Sequence, residues 1–458
     1  MKKGPGPLLG KTLNAISGVN RREVLMGSVA LGLAANSRPA IAGREAPNGR
    51  KGTFPSGFLW GASTAGHQVE GNNLASDTWA LEHLNPTNFT EPSGDACDSF
   101  HRWPLDLDIV RDLGLNSVRF SVEWARIEPE AGEFSVAMLD HYKAMVEGCR
   151  ERGLKPLVSF NHFTCPRWFA MRGGWTNPDA PSLFARYCDR LARHLGESIE
   201  RATTLNEPNL MLLLRYKLPS GVFAKNDVVQ AAASKAYGSS TFVSSFIENE
   251  EQSHAVQPIL MEAHRQAKAA IKAARSDLPV GVTLAIEDDQ PFGEGSQIAK
   301  KRAMCYDDWL RVARADDFIG VQNYERARIG PEGQMSPPAG AVLTDRGAEI
   351  YPPSLAGAVR YAWSQTKVPV LVTEHGIGTS DDRQRAGFIP ASLQHLAEAI
   401  AEGVPVLGYC HWSLLDNFEW IFGYTPKFGL VEVNRTTFAR TPKPSAHVLA
   451  GIARKNAV

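Results

Sequence analysis

Residues 117–163 read SVRFSVEWARIEPEAGEFSVAMLDHYKAMVEGCRERGLKPLVSFNHF, and the spacing of apolar side chains changes twice along them. Ser117–Trp124 is a short, β-rich apolar run. Asp140–Gly153 places its apolar residues three and four apart, the period of a helix with one buried face. Lys155–Phe163 is strand-like again. A strand, a helix and a strand in this order imply parallel pairing, because only a crossover helix returns the chain to start a parallel neighbour.

The same unit repeats outward in both directions beyond about residue 52. Further strand-like runs are FLWGAST from Phe58, ATTLNEP from Ala202, PVGVTLAI from Pro279, DFIGVQNY from Asp317, PVLVTEHG from Pro369 and VPVLGYCHWS from Val404. Helix-period segments such as Ser182–Gly196 (SLFARYCDRLARHLG) separate them. Eight strand–helix units predict an α/β fold, a single (β/α)8 TIM barrel with extended βα rim loops. No Pro/Ser-rich linker divides residues 52–458, so one catalytic domain is expected there. Leu210–Gln257 lacks a clear period after LMLLLRY and is expected to be a helix plus a long rim loop. Gly330–Pro353, rich in Gly and Pro, is expected to be a second rim loop.

Composition excludes several classes. The 458 residues carry 49 Lys+Arg against 49 Asp+Glu, with 43% hydrophobic and 21% charged residues. Such a chain is neither disordered nor built to coat nucleic acid. The charge is uneven, however. Met1–Arg22 holds Lys2, Lys3, Lys11, Arg21 and Arg22 without an acid, and an apolar run, VLMGSVALGLAA, follows from Val24 to Ala35. That run is shorter than the roughly 20 residues a membrane span needs, and it leads to an Ala-x-Ala pattern ending at Ala42. Residues 1–42 are therefore read as a signal peptide and 43–51 as a short flexible linker. Asn20-Arg21-Arg22-Glu23-Val24-Leu25-Met26 resembles a twin-arginine signal, with Arg38 as an added positive charge, which predicts an exported, periplasmic or secreted protein with no membrane span in the mature chain. Removing residues 1–42 leaves 43 positive and 48 negative charges, so the apparent neutrality sums a basic leader and an acidic domain. Cys97, Cys149, Cys165, Cys188, Cys305 and Cys410 form no C-x-x-C pair and no Cys/His cluster of metal spacing. They read as small buried hydrophobes.

In a parallel barrel the chemistry sits where strands end and βα loops begin, so polar residues closing an apolar run are the first candidates. Glu207 closes ATTLNEP, where Pro208 biases it toward an extended backbone. Glu374 closes PVLVTEHG, where Gly376 supplies freedom for the turn out of the strand. Two carboxylates in one mouth are what glycoside cleavage requires, one protonating the leaving oxygen and one meeting the oxocarbenium-like carbon. Either Glu taken alone could equally be half of a rim ion pair.

The motifs carry a resemblance. FPSGFLWGASTAGHQVEG, SVRFSVEWARIEPEAGEF, NHFTCPRWF, TLNEPN, DFIGVQNY, VTEHG, HWSLLDNFEW and GYTPKFGLVEVNRTTFARTPKPSA resemble, in that order, glycoside hydrolase family 1, the β-glucosidase family, over most of residues 52–448. The resemblance implies a retaining double displacement with Glu207 as acid/base and Glu374 as nucleophile, Arg119 beside the nucleophile favouring its anion. It places Gln68, His162, Asn206 and Glu419 on ring hydroxyls, Tyr324 against the nucleophile, and Trp412 and Trp420 along the sugar. It implies no metal and no organic cofactor, and a small carbohydrate or glycoside substrate as partner, with no nucleic acid; the oligomeric state is left open. His67, His101, His375 and His411 are read as structural.

The sequence also departs from the family pattern. Phe163 stands where Trp is usual, Thr164-Cys165-Pro166 replaces an acidic-apolar-Pro run, and Gln322-Asn323 replaces Asn-Tyr. The segment after AIEDDQP is abbreviated, so the resemblance speaks more to the sugar than to its leaving group. Glu419 and Trp420 stand where phospho-glycosidases of the family carry phosphate-holding groups, which favours non-phosphorylated β-glucosides, with β-galactosides and β-fucosides as alternatives. Two other readings stay open at this point: a transglycosylase or a specialised aryl or sterol glycosidase, and a non-catalytic carbohydrate-binding barrel.

Overall fold

The computed structural model describes residues 52–458; the expected signal peptide at 1–42 and linker at 43–51 lie outside the described residues. Eight strands form the centre: β1 (Leu59–Ser63), β2 (Ser117–Ser121), β3 (Lys155–Asn161), β4 (Arg201–Asn206), β5 (Val280–Ala285), β6 (Phe318–Asn323), β7 (Val370–His375) and β8 (Val406–Trp412). Each falls, within a residue, on one of the eight apolar runs. They pair in parallel in chain order, and β8 returns to β1, so the barrel closes.

The strands alternate between two apolar environments. Leu59, Leu157, Phe318, Leu371 and Cys410 pack together as one cluster. Their neighbours Val158, Ile319, Val370 and Val372 belong to the larger core shared with the helices. This alternation follows from the period of two in a strand, and because both faces are covered the strands are rich in apolar residues on each.

Helices α1 (Ser99–Asp112), α2 (Val136–Glu151), α3 (Ala180–Leu195), α4 (Glu250–Ala274), α5 (Asp307–Ala313), α6 (Ser354–Thr366), α7 (Asp382–Ala401) and α8 (Pro444–Lys455) follow the eight strands in turn. In α3 the buried Phe184, Tyr187, Cys188, Leu191, Ala192 and Leu195 recur at three- and four-residue spacing, the stripe a helix lays on a barrel. Helix α2 starts where Ser135 accepts from the Met138 amide, satisfying a donor that the first turn would otherwise leave unpaired.

Leu210–Gln257 corrects the expectation of one helix and a long loop. It contains helices Leu210–Lys217 and Ala224–Tyr237, and α4 begins at Glu250. Asn249 caps α4 reciprocally with Gln252. The helix was hidden because its first turns are polar (EEQSH) and Pro258 interrupts the pattern. Gly330–Pro353 is irregular apart from the two-residue strand Gly333–Gln334, which joins Asp288–Pro291 and Arg326–Gly330 in a small sheet outside the barrel. All six cysteines are free and buried. Among the described residues no helix is long and apolar enough to cross a membrane.

Candidate active site

Glu207 lies one residue beyond β4 and Glu374 near the end of β7, so both reach the mouth formed by the C-terminal ends of the strands. Glu374 is held from several directions. Arg119 on β2 donates from Nη1 to its Oε1 at 2.6 Å, and the Tyr324 hydroxyl donates to its Oε2 at 2.6 Å. Arg119 Nη2 donates at 2.5 Å to Asn206 Oδ1, which also accepts from Gln322 Nε2 at 2.7 Å. Burial pushes the Glu374 carboxyl up, and Arg119, Tyr324 and Gln322 oppose that push. Glu207 is pushed up much further, first by burial and then by the charge of Glu374, with only Arg119 pulling it down. No side-chain hydrogen bond to its carboxyl occurs among the described residues. A proton shared by the two carboxyls therefore resides on Glu207, because every donor in reach stabilises the anion of Glu374.

The backbone at this mouth differs from what the sequence implied. Glu207 has φ 45, in the left-handed region and not extended, although Pro208 follows. Phe163 (φ 65) and Trp420 (φ 54) share that conformation. Left-handed backbone at bulky residues costs on the order of 1–3 kcal/mol each and persists where the surroundings over-determine it. Gly376 also has a different reason from turn freedom: a Cβ there would stand 2.1 Å from the Trp412 carbonyl oxygen, so only glycine lets the β7 exit pass β8.

The expected sugar shell is brought together. His162 stacks on Trp412 with centroids 5.7 Å apart, and also on Trp420 at 6.1 Å. Asn206 Nδ2 lies 3.3 Å from His162 Nε2. Burial, with help from Arg119, drives the His162 pKa well down, so this ring is neutral and accepts there. Gln68 donates to Asn417 Oδ1 at 3.1 Å and to the Phe418 carbonyl at 2.8 Å. Burial pushes the Glu419 carboxyl up to about 8, the charge of Glu374 adds to this, and hydrogen bonds with Trp412 and Gln68 pull the other way. Gln68 Oε1, His162 Nδ1, Gln322 Oε1 and Glu419 Oε1 are buried with no protein partner. A buried polar atom left unpaired costs on the order of 1–3 kcal/mol, so four around one mouth fit a ligand dense in hydroxyls beside flat aromatic walls.

Several residues of the site were not anticipated. Gln322 appeared in the sequence as a departure, yet it braces Asn206 and Glu374. Phe246 packs on Trp420 (4.9 Å) and Phe163 (5.1 Å), and with Met211 and the buried Glu248 it lines a cleft beside Glu207. Phe246 and Glu248 come from the aperiodic stretch before α4, where no sequence period marked them. His67 was read as structural, but its ring lies parallel to Trp420 at 5.7 Å, with Glu82 at 2.7 Å from Nε2. Its pKa is raised: burial lowers it, and Glu82, Glu123 and Asp77 more than offset that. His101 is exposed, and His375 and His411 are buried around Tyr409.

A closed (β/α)8 barrel whose mouth pairs a donor-clamped carboxylate with a protonated one, within a hydroxyl-seeking aromatic shell, defines a glycoside-cleaving enzyme. The profile of Glycosyl hydrolase family 1 matches residues 50–325 and 321–458, and the chain belongs to that family. A β-glucosidase of Agrobacterium sp. is 29% identical over 89% of this chain and 96% of its own length. The structure of β-glycosidase BGL167 is 47% identical with a TM-score of 0.83, covering 88% of this chain and 98% of that one. Apo β-glucosidase 1317 is 40% identical with a TM-score of 0.85, covering 88% and 99%.

Proposed function

We propose that the protein is an exo-acting, retaining β-glucosidase that removes terminal, non-phosphorylated β-D-glucosyl residues from a small glycoside. The observation that carries this is the asymmetry of the carboxyl pair: Arg119 and Tyr324 clamp Glu374, while the Glu207 carboxyl has no donor. Glu374 attacks the anomeric carbon as the anion, and Glu207 gives its proton to the departing oxygen. Once Glu374 is esterified by the sugar its charge is gone, the Glu207 pKa falls, and Glu207 takes a proton from the incoming water. Gln68, His162, Asn206 and Glu419 bind hydroxyls, and Trp412 and Trp420 form the wall. The relatives named β-glucosidases support the choice of glucose, and the presence of both carboxyls distinguishes the chain from a non-catalytic barrel.

Hydrolysis of an aryl β-glucoside by the purified protein tests this. Activity is expected to be lost in Glu374→Ala and partly restored by azide, with the β-anomer of glucose released first by the wild type, as read by NMR. Equal inertness of wild type and Glu374→Ala toward β-glucosides, β-galactosides and β-fucosides would overturn the enzyme reading, and transfer products in place of glucose would redirect it to a transglycosylase.

The proposal includes export by the twin-arginine route. It is supported by Arg21-Arg22, the apolar run Val24–Ala35 and the pattern ending at Ala42. Six buried free thiols suit a domain that folds in a reducing compartment before crossing. Expressed in its host, the full chain is expected to appear outside the cytoplasm starting at Gly43. Replacing Arg21 and Arg22 by Lys should retain it inside, and unchanged export of that variant would dismiss the route.

A further inference from the structure

One buried carboxyl group near the mouth has no part in the proposed reaction. Glu123 lies two residues beyond β2. Its Oε1 accepts from the His67 amide at 2.9 Å, and its Oε2 accepts from Asn73 Nδ2 at 2.8 Å and from the Thr164 hydroxyl at 2.6 Å. His67 and Asn73 belong to the segment leaving β1, and Thr164 to the segment leaving β3. The approach is close: a Cβ on Gly66 would stand 2.7 Å from Glu123 Oε1, so glycine is what admits the β1 exit. Donors reach both oxygens, so an amide side chain of the same shape would turn an N–H toward another donor.

The two segments that Glu123 joins carry hydroxyl-binding residues of the site. His67 directly precedes Gln68, and the Thr164 amide donates to the His162 carbonyl at 2.8 Å. Gln68 Oε1 and His162 Nδ1 are buried with no protein partner among the described residues, so each is left for a ligand. Trp420 touches both segments: its ring is parallel to His67 at 5.7 Å and to His162 at 6.1 Å, and edge-on to Phe163 at 5.3 Å. Thr164 stands where the family pattern has an acid. Here the carboxyl group comes from the β2 exit instead, with Thr164 as its donor.

We propose that Glu123 is a positioning residue of the sugar site: it fixes the spacing between Gln68 and His162 and so decides which hydroxyls of the terminal sugar are gripped together. The inference rests on the β-glucosidase reading. A hydrogen bond weakens steeply outside a narrow range of distance and angle. A shift of the β1 exit against the β3 exit therefore loosens these two grips and leaves those made from other strands intact. Glu123 touches no substrate atom in this role and acts only through its three donors.

The test compares 4-nitrophenyl β-D-glucoside with its 2-, 3-, 4- and 6-deoxy derivatives in wild type and Glu123→Gln. The hydroxyls held by Gln68 and His162 are those whose removal no longer matters in Gln68→Ala and His162→Ala. For these, deoxygenation is expected to lower the wild-type kcat/KM by about 10-fold or more, the scale of a hydrogen bond lost with its buried partner left unpaired, and by about threefold or less in Glu123→Gln. The losses at the remaining hydroxyls should persist. Thr164→Val, which removes one donor at nearly constant volume, should move the same hydroxyls, and Thr164→Ser should restore wild-type values. Losses unchanged at every position in both Glu123→Gln and Thr164→Val, or shrinking equally at all four, overturn the proposal. The same losses read as Kd by calorimetry in the Glu374→Ala background need no turnover. Failure to bind any of the glucosides would strike the glycosidase reading. The indole N–H resonance of Trp420 in unliganded, tryptophan-labelled protein then still decides on Glu123: it is expected to move in Glu123→Gln, and an unmoved resonance overturns the positioning role.

Discussion

At the residue scale, the two mouth carboxyls are the same amino acid made different by their neighbours. Glu374 has Arg119, Tyr324 and Gln322 to stabilise its anion, whereas Glu207 has burial and the charge of Glu374 to keep its proton. A raised pKa on the acid means that activity is present while Glu207 is protonated and is lost as pH rises through its pKa. The acidic limb belongs to protonation of Glu374. Glu207→Gln is therefore expected to lower turnover of glycosides with poor leaving groups by about 10²- to 10⁴-fold, the usual contribution of a general acid. It should also abolish the alkaline limb of the kcat/KM–pH profile. An unchanged alkaline limb in that variant would assign the proton to another group. Both glutamates were legible in the sequence because each closes an apolar run. The left-handed φ of Glu207 and the bracing by Gln322 were not, since both arise from strands far apart in the chain.

At the element scale, two buried ionic clusters hold the rim. Lys301 in the helix Ile298–Cys305 is fully buried between Glu287 and Asp289, and Lys217 at the end of Leu210–Lys217 bridges Glu287 at 2.6 Å and Glu325 at 2.5 Å. Removing one partner of such a cluster leaves uncompensated buried charge. Lys301→Met is expected to cost about 3–5 kcal/mol in urea unfolding, and a loss below about 1 kcal/mol would show the cluster to be solvated. The second cluster is His67 with Glu82, Glu123 and Asp77, packed behind Trp420. The folded pKa of His67 is raised above its usual 6.5. Its stabilising contribution is thus complete below about 6.5 and lost as pH rises through the folded pKa. The difference in unfolding midpoint between wild type and His67→Gln should shrink toward alkaline pH, and a difference independent of pH would mean that the ring acts by packing alone. Neither cluster was legible in the sequence. Their charges are scattered over several βα loops, and only barrel closure gathers them.

At the scale of the whole molecule, the barrel is closed by the meeting of its first and last segments. Asn456, just past α8, accepts from Trp60 Nε1 at 2.9 Å, donates from Nδ2 to Phe54 O at 2.8 Å, and receives the Phe54 amide on its carbonyl at 3.0 Å. Asn456→Ala removes the side-chain bonds to Trp60, Phe54 and Pro55 and places alanine at φ 50, where asparagine is tolerated better. A loss of about 1–3 kcal/mol is expected by chemical denaturation, and no change would show that the ends close through β1 and β8 pairing alone. The sequence by itself determined the eight strands, their parallel closure and the identity of the carboxyl pair, because periods of two and 3.6 and residues ending apolar runs are local properties. Tertiary structure alone decided the burial and neighbours that keep the proton on Glu207, which aromatic rings back the sugar wall, and which charged groups gather behind it. Those depend on burial and through-space charge, which act between residues that the chain separates by tens to hundreds of positions.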